Sequence, residues 1–407
     1  MNFLSKIYKN LVKGLLGILF FICIFTLITY GRRNIGLDSF TCAEEFKGDM
    51  YFKGFKDAVD FTYNEDNTYF IAYKNKIQIL NEKGYSEVLL KNNNLNITSI
   101  EYKDDKLYYV SGTKVYYYDL KNKQQKNIIK DIPNYGDYRK SLLKVKGNYL
   151  YVSIGSATNS GVVGEDNKWI EQYSHNHDIT PKPLTIKGDN FGDEKTGAFV
   201  PYKTQNIKGQ ILTSSFPGNS SIIIYNLKTR AMETFAWGIR NIKGLDFNSK
   251  EKLFGVVGGM ENRGLRPVKG DCDYIFRIDK NIWYGWPDYS GGDPINSPRF
   301  KNKNGSRIPF ILANHPSTNP PGPYYQHKKL NSLGTLAIDK EAILKEKDSI
   351  YFYEINDNII YKINKSNVTK PVVKLSKDSM ICSIKFCSNK LLALDKKKGI
   401  LYKVENK

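Results

Sequence analysis

Alanine is scarce in these 407 residues, and the chain holds only four His and five Cys. The shortage of Ala beside 29 Tyr speaks against a helical protein. Tyrosine suits strands, whose half-buried pleated faces accept a ring with a polar tip. An all-β fold is therefore expected, and 41% hydrophobic residues are enough to build a sizeable core. So few histidines leave little from which to assemble a transition-metal centre. His175 and His177 form an H-x-H beside Asp178, but no third ligand is placed with them. Histidines hydrogen-bonded within a loop are the expectation there. Cys23 lies in an apolar N-terminal run. Cys42, Cys272, Cys382 and Cys387 either pair in one of three ways or stand free as small buried apolar residues.

Charge is missing altogether from residues 14–30, GLLGILFFICIFTLITY. As a helix this run would span roughly 25 Å, close to a bilayer core. Lys6, Lys9 and Lys13 precede it, and Arg32 and Arg33 follow. No small-x-small cleavage site follows, so residues 1–33 read as a cytoplasmic stub and an uncleaved transmembrane signal anchor. The expected location is the cell membrane, single-pass, with residues 34–407 outside. Of the +20 net charge, five basic and no acidic residues belong to the first 33, which leaves +15 on the exported part. That balance draws the chain toward an acidic wall or anionic lipid, or it reflects a general bias toward Lys, Asn, Ile and Tyr. Nucleic acid is not an expected partner of an exported protein.

A pattern of short strands and polar turns recurs six times, at 58–80, 97–120, 141–156, 242–259, 333–363 and 380–404. Phe61, Tyr102, Val145, Phe247, Ile338 and Phe386 fall at matching strand positions, 41, 43, 102, 91 and 48 residues apart. A period of about 40–50 with three or four strands per unit is the mark of a β-propeller. The prediction is a six-bladed β-propeller preceded by one N-terminal transmembrane helix. The two long intervals predict loop insertions at about 157–240 and 260–330, which in a propeller emerge on a face, where sites usually form. Residues 38–55 are placed to add the outer strand missing from the last repeat, which would bring Cys42 toward Cys382 or Cys387.

Three stretches carry chemistry. YVSIGSATNSGVVGEDN (151–167) begins as a strand and turns into a loop almost without large side chains, so that backbone approaches something closely. AWGIRNIKGLDF (236–247) puts Arg240 and Asn241 at the entry to a strand, where side chains can face a central channel. KLFGVVGGMEN (252–262) ends that unit in Gly258-Gly259. Backbone carbonyls there, with Glu261 or Asn262, are suitable oxygen ligands for Ca2+. WYGWPDYSGGDP (283–294) reads first as a rigid structural corner.

YVSIGSATNSGVVGEDN, KTGAFVPY, WGIRNIKGLDF, ENRGLRPVKGDCDYIF and WYGWPDYSGGDP, in that order, resemble the exported glucose/sorbosone dehydrogenases. The resemblance is good over about residues 135–340. It implies a six-bladed propeller that uses pyrroloquinoline quinone (PQQ) and Ca2+ to move a hydride from a sugar to the quinone. Arg240 and Asn241 match the family's Arg-Asn pair. Gly259, Met260 and Glu261 fall where the metal would be held, Thr158, Asn159 and Lys362 where the cofactor would be touched. The family's base is a His just before residues 141–147, but this chain has Tyr138 there. A phenol of ordinary pKa is a poor base at neutral pH, so His327, or else His175, is the candidate replacement. The implied function is a membrane-tethered dehydrogenase acting on a sugar. The alternative is an inactive propeller that binds a glycan or a protein at the cell surface.

Overall fold

The structure is a computed structural model that describes residues 14, 17–24, 26 and 40–407. Residues 17–24 of the expected anchor are helical and exposed, and much of that segment lies outside the described residues. Among the described residues no helix is long and apolar enough to cross a membrane.

Six antiparallel sheets of four or five strands follow. Their innermost strands are Asp60–Tyr63, Ile97–Lys103, Leu143–Lys146, Ile242–Phe247, Leu333–Ile338 and Ile381–Cys387. Each touches the next and the last touches the first, which closes a propeller-like ring. We call the sheets blades 1 to 6 in this order. All six residues matched across the repeats lie on these strands. The core is divided in the same way, with one apolar layer between each pair of neighbouring blades. Between blades 1 and 2, for example, Phe70, Ala72 and Ile77 meet Ile97, Leu107 and Tyr109.

The ring is closed by the N-terminal segment, as expected. Phe46–Lys53 pairs with Ile400–Asn406 as the outer strand of blade 6. Thr41–Cys42 adds to blade 5 against Thr369–Lys374. The closing disulfide is not made, and all five cysteines are free. Cys42 sits on the outer edge of blade 5, whereas Cys382 and Cys387 lie on the innermost strand of blade 6.

The first long interval is not all insertion. Ser221–Asn226 and Met232–Trp237 return as the two outer strands of blade 3. Ser221–Asn226 is buried on both faces apart from its last residue, so it shows no polar–apolar alternation to read. In the second interval Tyr274–Ile278 and Tyr325–Gln326 complete blade 4. The remaining excursions join each other. Leu184–Ile186, Ile211–Leu212 and Leu312–Asn314 form a small sheet, and Trp283, Trp286 and Tyr289 pack with residues of both excursions. WYGWPDYSGGDP is thus a buried corner. The excursion from blade 3 leaves at the end of the ring where the innermost strands begin, here called the upper face.

One charged side chain from each blade reaches the axis. Lys385 lies 3.7 Å from Asp60 and 2.7 Å from Glu101. Lys144 is 3.3 Å from both Glu101 and Asp246, and Lys340 is 3.0 Å from Asp246. Above these ion pairs the channel shrinks to about 40 Å³, lined by residues of all six blades.

Candidate functional site at the upper channel mouth

Arg240 leaves the outer edge of blade 3 just before the first strand of blade 4 and is 3% exposed. Its guanidinium donates to Asn159 O at 3.1 Å, Gly258 O at 3.3 Å and Gly259 O at 2.5 Å. It also donates to Asn159 Oδ1 and Glu261 Oε1, both at 2.9 Å, and to the Tyr138 hydroxyl. The Tyr138 ring lies 4.0 Å beneath the guanidinium carbon, a cation–π contact. Burial pulls the Arg240 pKa down to about 10, with Glu261 acting against that shift.

A second guanidinium closes the network. Arg263 donates to Glu261 Oε2 at 2.8 Å, Asp137 Oδ2 at 2.6 Å, the Tyr138 hydroxyl at 2.8 Å, and Asp166. Burial works against the charge of Arg263, but Asp137 and Glu261 raise its pKa on balance. For Glu261 burial likewise opposes the charge, and Arg240 with Arg263 outweighs it and holds the carboxyl low. The loop 156–163 is buried beneath this network. Asn159 Nδ2 donates to Glu261 O at 2.7 Å, and Trp286 Nε1 donates to Asn159 O at 3.1 Å. The small residues of 151–167 let this loop pass under the second excursion, and Ser160 Oγ donates to Arg266 O.

The structure therefore brings Arg240, Asn159, Gly259 and Glu261 together. Asn241 lines the cleft beside this network, and Thr158, Met260, Lys362 and His327 go elsewhere. The Thr158 hydroxyl is spent on the buried carboxylate of Asp178 at 2.6 Å. The Met260 side chain is buried in the core of the excursions, and its N–H bonds Asp271 at 2.6 Å. Lys362 lies on the third strand of blade 5, beside Glu45 and over the Phe46 ring. His327 follows the outermost strand of blade 4, with Nε2 3.7 Å from Glu354 and Nδ1 3.2 Å from the Tyr325 hydroxyl. Burial pushes its pKa down. His177 Nδ1 bonds the His175 carbonyl of its own loop. Among the described residues no group of three His, Cys, Asp or Glu could hold a metal ion.

Beside the network a cleft of about 400 Å³ opens at the upper end of the channel. Arg139, Lys140, Lys243 and Lys396 line it, together with Asn241 and Asn331. Asp137 is its only lining carboxylate and is already held by Arg263. Lys243 pairs with buried Asp273 at 3.0 Å, and burial lowers its pKa. Lys243 lies two positions after Asn241, but the strand is irregular between Ile242 and Gly244, so alternation along the sequence does not place its side chain. Arg263 lies inside a quoted motif but has no distinguishing spacing. Arg139 and Lys140 lie far from Lys396 along the chain, and the three carry no joint signal.

No protein-family model matches the chain, and no curated protein matches it. Solved structures do. The calcium structure of the Trichoderma reesei carbohydrate-active enzyme of family AA12 aligns with TM-score 0.63 at 12% identity, over 91% of this chain and 98% of that one. The holo PQQ domain of pyranose dehydrogenase from Coprinopsis cinerea gives 0.63 at 9%, over 91% and 97%. The PQQ-bound aldose sugar dehydrogenase from Streptomyces coelicolor gives 0.53 at 12%, over 90% and 100%. The chain has the fold of these sugar dehydrogenases. At such identities the likeness is one of architecture, and chemistry has to be argued from the site.

The neighbours include a calcium structure and PQQ-bound structures, and the residues of this site differ in how they suit the two groups. Ca2+ takes six to eight oxygens. The Gly258 and Gly259 carbonyls and one oxygen of Glu261 already face the Arg240 guanidinium, and the other Glu261 oxygen faces Arg263. A second cation at those oxygens would meet a fixed positive charge, so Ca2+ does not fit. A polycarboxylate fits the cleft beside them better, since Arg139, Lys140 and Lys396 line its wall and its one carboxylate, Asp137, is held by Arg263.

Proposed function

We propose that this chain is a sugar-dehydrogenase-like propeller whose upper cleft binds a small polyanionic ligand without calcium, and that it does not perform Ca2+-assisted hydride transfer. The observation that carries this reading is Arg240, whose guanidinium occupies the carbonyl and carboxylate oxygens proposed for the metal. Arg139, Lys140 and Lys396 would hold the ligand's carboxylates, beside Lys243, which stays paired with Asp273. If the ligand is PQQ, it would supply a quinone able to accept a hydride. The Tyr138 hydroxyl accepts from both guanidinium groups and donates to Glu261 Oε1 at 2.8 Å, so its hydrogen-bonding capacity is spent inside the network rather than offered to a sugar. The reading includes export and tethering by residues 14–30, supported by the uncharged run and its basic flanks.

The test uses the full chain in a detergent that contains no sugar. PQQ and a simple tricarboxylate are titrated by calorimetry with Ca2+ and with a chelator, and dye reduction is followed with a panel of sugars. Equal affinity in both conditions and no turnover is the expected outcome. Calcium-dependent binding with turnover would restore the sugar dehydrogenase reading, which the fold and the Arg240-Asn241 pair favour. No binding of either anion would remove the ligand reading and leave a surface-binding propeller.

A further inference from the structure

The lower end of the channel holds a second cavity, of about 410 Å³. That lies within the ordinary range for small-molecule sites. The constriction of about 40 Å³ and the axial ion pairs separate it from the upper cleft, so a ligand in one mouth does not reach the other.

We propose that the lower cavity is a binding site for a neutral polyhydroxylated ligand of monosaccharide to disaccharide size. Its inner wall is made of Glu101, Lys144, Asp246, Lys340 and Lys385. With Asp60 behind Lys385, three carboxylates face these three ammonium groups and the axial charges balance, while Glu65 and Glu341 lie further out on the cavity wall. An ionic ligand would have to break a pair and leave a buried charge exposed to its like, at a high cost. Spare hydrogen-bonding capacity of both kinds nevertheless remains. Among the described residues, the second oxygen of Glu101 accepts no hydrogen bond, since both lysines approach the first. The Lys340 ammonium has one protein partner, Asp246, and three N–H groups. A hydroxyl is both donor and acceptor, so a polyol can satisfy both without displacing either pair. Tyr63, Tyr102 and Phe386 line the same cavity. They offer ring surface for the C–H faces of a sugar, and Tyr63 is fixed by its hydrogen bond to the Phe386 carbonyl.

The experiment is saturation-transfer NMR on the full chain in a detergent without sugar. Glucose, N-acetylglucosamine and maltose are compared with the charged analogues gluconate and glucosamine. Hydrogen exchange on the unaltered protein then locates the bound ligand. Binding of a neutral sugar is expected, with protection at residues 62–65 and 338–343 and none at 137–140. Lys340→Met and Tyr102→Ala should each weaken it at least about tenfold. The proposal is overturned if no neutral sugar binds at about 20 mM. It is equally overturned if protection appears at 137–140 instead, or if the charged analogues bind as well as the neutral ones.

Discussion

A Cβ added to Gly259 would lie 2.1 Å from the Cys272 carbonyl oxygen and 2.8 Å from the Asp271 carboxyl carbon. No rotamer relieves a contact with backbone, so Gly259→Ala must shift the loop that presents its carbonyl to Arg240. The expected loss is roughly 2–3 kcal/mol, read by urea unfolding, together with weaker anion binding in the neighbouring cleft. An unchanged midpoint would mean that the loop yields freely, and the close approach would lose its significance. The same crowding explains the glycines around Tyr138: a Cβ on Gly155 would lie 2.2 Å from the Tyr138 carbonyl oxygen. The small-residue character of 151–167 was legible in sequence. Its partner was not, because the loop meets residues about a hundred positions further along the chain.

At the scale of elements, the axial ion pairs tie innermost strands together where the apolar layers leave off. Burial opposes the charge of Asp246, but Lys144 and Lys340 outweigh it and hold its pKa at about 2. A carboxyl depressed in this way stabilises the fold above its unfolded pKa of about 3.9 and loses that contribution as pH falls through about 2. Asp246→Asn leaves Lys144 and Lys340 short of a partner and is expected to cost about 3–5 kcal/mol at pH 7. Denaturant midpoints should show the gap between the variant and the natural protein narrowing between about pH 4 and pH 2. A gap that stays constant would mean that Asp246 acts through packing alone.

Closure belongs to the whole molecule. Phe46–Lys53 follows only the edge strand Thr41–Cys42, and its partner strand Ile400–Asn406 is the last of the described propeller, so blade 6 is assembled from both ends of the fold. Phe46 is 1% exposed and packs with Tyr402 and Val404 of blade 6 and with residues of blade 5. Phe46→Ala should cost about 3–5 kcal/mol, and its melting transition should stay single, because releasing this strand opens the ring as a unit. Two separate transitions would show that blades unfold independently.

The sequence by itself determined the all-β class, the six repeats and the strand that closes the ring. These rest on local alternation and on a regular period, which each segment carries within itself. It also pointed to Arg240, Asn159, Gly259 and Glu261, since loops rich in Gly and small residues mark close backbone approach. Only the tertiary structure decided what those residues do to one another. Whether Glu261 faces an empty metal position or two guanidinium groups depends on Arg240 and Arg263 arriving from separate segments. The same holds for Thr158, which the packing against Asp178 turns away from the channel, and for Lys362, which lies on the third strand of blade 5 beside Glu45. Hydrogen-bond partners and burial are properties of the assembled ring, and no single strand encodes them.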